Sequence, residues 1–113
     1  MPGFARIRMI DTDSISAGGY ADFKQAEEID LVLKKIVIVE ASGASVENVT
    51  FTLFVGDKPL VYPNVSAAVF APDSKANPDM NVEVKAGTYV SGRVTNNTGS
   101  AVRLYIHLIY EYP

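Results

Sequence analysis

Side chains that carry chemistry are sparse in this sequence. His107 is its only histidine, and there is no cysteine. Thiolate catalysis, disulfides and cysteine-ligated metal are therefore excluded. One histidine cannot supply a histidine-rich metal centre within a single chain; a three-fold axis would be needed to gather three copies. Asp11-Thr12-Asp13-Ser14 begins like an oxygen-rich calcium loop. It lacks the glycine and the distant glutamate that complete such a loop, so it reads as a turn whose aspartates bond nearby backbone. Asp73 and Asp79 flank a polar loop and read the same way. Gly18-Gly19 and Gly87 are followed neither by a lysine beside serine or threonine nor by a helix, so they make no phosphate loop. Glu27 and Glu28 are adjacent, and on a strand they face opposite ways, which prevents them acting as a carboxylate pair. Asn48, Asn64 and Asn96 each start a glycosylation-like triplet; without a secretion signal the matches read as coincidence. No paired catalytic groups are visible, and the chain is expected not to be an enzyme and to need no cofactor or metal.

The elements that would position any of these groups are strands. In Ala101–Tyr112, Val102, Leu104, Ile106, Leu108, Tyr110 and Tyr112 fall on alternate positions, the period of a strand with one buried face. Burying such a row contributes on the order of 10 kcal/mol gross. Thr88–Thr95 places Val90, Gly92 and Val94 inward, joined to the last strand by the polar turn Asn96–Ser100. As a hairpin, this sets Gly92 opposite Leu104 and Arg93 opposite Arg103 on the outer face, a like-charge pair that a two-residue slip would relieve or an acidic neighbour or partner would bridge, the bridge being preferred.

Upstream, Phe4–Ile10 alternates, with Ile7 and Met9 read as inward, and Asp11–Ser16 as a turn. Ala17–Lys24 is a weaker strand, loosened by Gly18 and Gly19 into a bulge or an edge. Ala26–Ile29 is at most a helical turn. Ile29–Ala41 is dense in β-branched residues. Keeping Leu33 and Ile36 on one side requires a bulge at Lys34-Lys35; a helix is the competing reading. Ser42–Asn48 is a loop, and Thr50–Val55 a strand with Phe51, Leu53 and Val55 on one face. Gly56–Pro59 turns, Val65–Phe70 is a short strand, and Ala71–Asn81 is an exposed loop. Asn81–Lys85 is a short strand with Val82 and Val84 inward, and Ala86-Gly87 turns the chain. About eight strands with frequent turns and no confident helix predict an all-β sandwich or barrel.

The 113 residues suit one domain, 1–113, with one core. Net charge is −3 with no basic block, which argues against nucleic-acid binding. No run approaches the roughly 20 apolar residues that span a bilayer, so no membrane partner is expected. Residues 1–13 are charged too early for a signal peptide. Pro113 directly after the best strand suggests an ordered C-terminus without a tail. The outer face of the last strand is unusual: Tyr105, His107 and Ile109, with Tyr89 nearby, stand where a solvated strand would carry charge. Such a face is covered by the N-terminal strand or by another subunit. The candidate interface is accordingly Tyr89, Arg93, Arg103, Tyr105, His107 and Ile109.

The tail MNVEVKAGTYVSGRVTNNTGSAVRLYIHLIYEYP and the upstream IDLVLKKIVIVEASGASVENVTFTLFVGDKPL resemble, in their order of strands and turns, the small jelly-roll proteins of phage and viral particles. The resemblance spans Ile29 to Pro113 and holds no diagnostic motif. It implies a jelly-roll-like antiparallel β-sandwich and a non-enzymatic virion component: a head decoration or cement protein, or a spike or tail part. It further implies a homo-oligomer, a trimer by preference, with the major capsid protein or another particle protein as partner. Carbohydrate-binding modules share the pattern. In that alternative, Tyr20, Tyr62 or Tyr89 would stack on sugar rings, although tryptophan, the usual platform, is missing. An N-terminal segment exchanged between subunits, with Pro2-Gly3 leaving its tip free, is a further expectation.

Overall fold

Leu31, Leu33, Ile36 and Ile38 on one strand, and Leu104, Ile106, Leu108 and Tyr110 on another, are completely shielded from solvent. The computed structural model describes residues 4–113, without the side chains of Phe4 and Ala5. Its strands are β1 (Phe4–Ile15), β2 (Tyr20–Ala26), β3 (Leu31–Glu40), β4 (Val49–Val55), β5 (Lys58–Ser66), β6 (Val82–Val84), β7 (Tyr89–Asn96) and β8 (Val102–Glu111). One antiparallel sheet runs β1-β8-β3-β6 and the other β2-β7-β4-β5. The neighbours nest: first with last, second with seventh, third with sixth, fourth with fifth. A chain folded in half and then rolled gives this order, and the result is a jelly-roll sandwich of eight strands.

The core lies between the sheets. Phe51, Leu53, Val90 and Val94 close it from the second sheet. Phe51 stacks on Phe23 at 6.1 Å between centroids and meets Phe70 edge-on at 5.5 Å. The bulge expected at the lysine pair is present: the β3–β8 register shifts between Leu33 and Lys35, and Leu33 and Ile36 stay on the buried side. This stretch is strand throughout, which removes the helical reading.

Several expectations are corrected. β7 and β8 do not pair; they lie in different sheets, and the turn between them is a corner. Gly92 therefore sits opposite Phe23 and Leu53, not Leu104. Arg93 and Arg103 never meet, because their strands lie in different sheets, and each has its own aspartate, Asp22 and Asp11. The corner is held by Asn96, which is fully buried. Its Nδ2 donates to the carbonyls of Ile15, Ser16 and Ser100, and its Oδ1 accepts from Thr98 N and Oγ1. Ile7 and Met9 point outward, 51% and 48% exposed. Opposite the buried Tyr110, Leu108 and Ile106 stand Arg6, Arg8 and Ile10. The arginines can face inward because Glu27, 2% exposed, receives both. Asp11–Ser16 is not a turn: β1 runs on to Ile15 through a register shift between Asp11 and Ser14, with Asp13 at φ 56°. The segment 27–30 holds no helical turn. Val65–Phe70 is the end of β5 followed by a 3-10 turn over Ala67–Phe70, capped by the Ser66 hydroxyl. Tyr112 lies past the end of β8 and is exposed. The expectation for Pro2-Gly3 lies outside the described residues.

The outer strands are poor templates for edge-to-edge pairing. β1 carries inward arginines and a bulge, β6 is three residues long, β5 contains Pro59 and Pro63, and β2 is short with Asp22 and Lys24 facing out. Each is a known way of blunting a sheet edge.

Candidate assembly face

Two outward faces remain, and they differ in chemistry. On the β1-β8-β3 face the register builds three rows: Ile7–Ile109–Lys35, Met9–His107–Val37 and Asp11–Tyr105–Val39. Around the middle of this face Met9 on β1, Tyr105 and Ile109 on β8, and Val37 and Val39 on β3 are apolar or aromatic. His107 sits at its centre, with Nδ1 3.3 Å from the Val37 carbonyl. Charge lies toward the ends of the face, where Arg103 and Lys35 are each paired. At one end Arg103 forms a two-pronged pair with Asp11, with its guanidinium 5.7 Å from the Tyr105 ring centre. At the other end Lys35 meets Asp79 at 3.1 Å.

These rim pairs shift the groups that make them. The Arg103 guanidinium, above all, and the Asp13 backbone amide hold Asp11 down to about 2, and Asp11 in turn raises Arg103. Beside them, Glu40 is lowered to about 2, chiefly by the Ser42 hydroxyl, with the Arg103, Ser42 and Ala44 amides adding to it. At the register shift inside β1, Asp13 N donates to Asp11 Oδ1 at 2.9 Å, so the aspartate does bond nearby backbone although the strand runs through it. Among the described residues no three of His, Cys, Asp and Glu are grouped so as to hold a metal ion, and no helix is long and apolar enough to cross a membrane.

The candidate interface is divided by the fold. Arg103, Tyr105, His107 and Ile109 share the β1-β8-β3 face, whereas Tyr89 and Arg93 lie on the outer face of the opposite sheet. Four residues of the apolar face escaped the sequence reading: Ile7, Met9, Val37 and Val39. For the valines a signal existed, since the unbroken run Ile36–Val39 is what a strand covered on both faces shows. For Ile7 and Met9 alternation gives a period but not which side is inward.

The opposite face joins Tyr20, Asp22, Lys24, Thr52, Phe54, Ser91, Arg93 and Tyr89. Arg93 binds Asp22 through Nε at 2.6 Å and Nη2 at 3.0 Å. It also lies 4.0 Å from the Tyr20 ring centre, and Lys24 lies 4.2 Å from that of Tyr89. The three tyrosines considered for sugar stacking are exposed, but Tyr20 and Tyr89 already have a cation against the ring. No protein-family model and no curated protein matches this chain.

Proposed function

We propose that this chain is a non-enzymatic structural protein of a phage or virus particle, a head decoration or cement protein or a spike component. It self-associates, a trimer being favoured, and binds the particle lattice. The observation that carries this reading is the apolar β1-β8-β3 face, with its charges paired off at the rim. The occupant of that face is a second copy of this chain. Blunted edges disfavour sheet extension, which leaves face-to-face packing as the route to association. Three strands about ten residues long present a flat face of about 33 by 14 Å, whereas a standard interface hides about 800 Å² per partner. The adjoining segment 71–81 extends the face. Met80 N bonds the Lys34 carbonyl at 2.8 Å, and Asn77 Nδ2 bonds that of Ile36 at 2.9 Å, which fixes this segment along β3. Loop 42–48 and the rest of segment 64–81 are the surfaces offered to the lattice.

Light scattering across a range of concentrations tests the first half: a constant oligomer mass is expected, and a strict monomer at all concentrations rejects it. Mass spectrometry of particles purified from the producing cells tests the second. Absence of the chain from intact particles rejects the virion assignment.

A further inference from the structure

The opposite sheet carries a feature that assembly does not use. Between β2, β7 and β4 the outer face opens into a groove of about 420 Å³, lined by Asp22, Lys24, Thr52, Phe54, Ser91 and Arg93. Its depth has a sequence cause. Ser91 is small and its neighbours across the sheet, Lys24 and Phe54, are large, so the floor sinks between them and Arg93. Beneath the floor, on the core side, Gly92 cannot grow: a Cβ there would stand 2.4 Å from the Thr52 carbonyl oxygen and 2.7 Å from the Phe23 ring.

One wall is aromatic and the other is a planar ion pair. Phe54 meets Tyr62 edge to face, at 6.0 Å between centroids and 72° between planes, and the two form a corner. Thr52 continues this wall with its hydroxyl 3.3 Å from Asn64 Oδ1. Across the floor, Asp22 and Arg93 are clamped together, so their charges cancel. Each carboxylate oxygen still has a lone pair, and the Nη1 protons of Arg93 are not used in that clamp. A fixed acceptor beside a fixed donor matches two neighbouring hydroxyls, one donating to Asp22 and one accepting from Arg93. The C–H face of a pyranose ring would rest on Phe54. The volume falls in the range of small-ligand sites, and the groove is open to solvent, as a chain of sugars requires.

We infer that this groove binds a saccharide, with Phe54 as the ring platform and the Asp22–Arg93 pair as the diol clamp. The site lies on the sheet facing away from the assembly face, so it goes beyond the structural role and its test is independent of it. A peptide would lack the paired hydroxyls, and a polyanion would find the arginine already neutralised.

Saturation-transfer NMR of the intact chain with cellotriose, maltotriose, triacetylchitotriose and mannotriose is the experiment. Signal transfer to ring C–H protons of at least one sugar is expected. Phe54→Ala and Asp22→Asn should each weaken that sugar by about tenfold and leave the oligomer mass unchanged. Ser91→Tyr keeps a strand-forming residue and fills the floor, and it should abolish binding with a native circular-dichroism spectrum. Silence with all four sugars overturns the inference, as does binding that survives Ser91→Tyr in a folded protein.

Discussion

The carboxylate of Glu27 receives two hydrogen bonds from Arg8, Nε to Oε2 at 3.0 Å and Nη2 to Oε1 at 2.9 Å. Arg6 Nη1 adds a third, to Oε1 at 2.8 Å, and Gln25 Nε2 donates a fourth, to Oε2 at 3.0 Å. This cluster lets an edge strand turn two arginines inward at the open end of the sandwich. The arginine hydrogen bonds, led by that of Arg8, outweigh burial and lower the Glu27 carboxyl below its usual value. Glu27→Ala leaves the Arg8 guanidinium without its partner in a partly apolar space, while Arg6 keeps Glu28 at 3.0 Å. The arginines are partly exposed and can swing outward, so a loss of about 2 kcal/mol is expected rather than the larger cost of a sealed pair. Urea denaturation reads it; no loss would make the cluster ornamental to stability.

Acid should weaken the fold in a defined window. Asp11 and Glu40 are held down to about 2 in the folded chain, below their ordinary values of about 4. A group lowered on folding contributes fully above its unfolded value and loses that contribution as pH falls through its folded value. Stability should therefore decline from about pH 4 to about pH 2, with Glu27 and Asp22 shifted in the same direction. Asp11→Asn should flatten the slope. Urea midpoints that do not change across this range would show the pairs to be uncoupled from folding.

Tyr110 is fully buried, and its hydroxyl finds no partner among the described residues. Burial, with Glu27 nearby, pushes its phenol up to about 12. Tyr110→Phe removes an unsatisfied oxygen and keeps the ring. It should be neutral or stabilising by about 1 kcal/mol. A clear loss in thermal denaturation would mean that the hydroxyl is bonded in solution.

Gly92→Ala is expected to be among the most damaging single changes. Its Cβ would press on backbone as well as on Phe23, and backbone in the middle of a sheet cannot yield cheaply. About 3 kcal/mol of destabilisation is expected, read by denaturant midpoint. Ordinary stability would show that Phe23 and the β4 backbone can yield to a methyl group at this position.

Ile109→Lys places a charge in the middle strand of the apolar face without touching the core. The variant should fold normally, lie within about 0.5 kcal/mol of the parent as an isolated chain, and lose the oligomer in light scattering. An oligomer that persists would move the interface to another surface.

The fold was legible where one face alone is buried. The alternation of Val102–Tyr110 and the bulge at Lys34-Lys35 follow directly from which residues must stay dry. What could not be read was partnership. Adjacent strands β7 and β8 look like a hairpin, because nothing local says that the Asn96 amide nitrogen will bind the carbonyls of Ile15 and Ser16, 81 and 80 residues away, and turn the chain into the other sheet. The side of β1 that faces inward was equally hidden, since it depends on Glu27, which is distant in sequence. The candidate site suffered for the same reason. Tyr89 and Arg93 were grouped with Tyr105 and Ile109 by an assumed pairing, and the sandwich puts its full thickness between them.

The nesting of first strand with last also dictates how the molecule can come into being. Only β4 and β5 are joined by a tight turn, at Gly56-Asp57, so only that pair can close without waiting for distant chain. In the nested set β4–β5, β3–β6, β2–β7 and β1–β8, each pairing encloses the one before it and must close a longer loop. Structure therefore spreads outward from the middle of the sequence, and β1, although synthesised first, stays without its partner until β8 has been made. A fold dominated by such distant pairings forms in roughly milliseconds to seconds rather than microseconds. Throughout that interval the arginines of β1 keep the waiting strand charged and soluble.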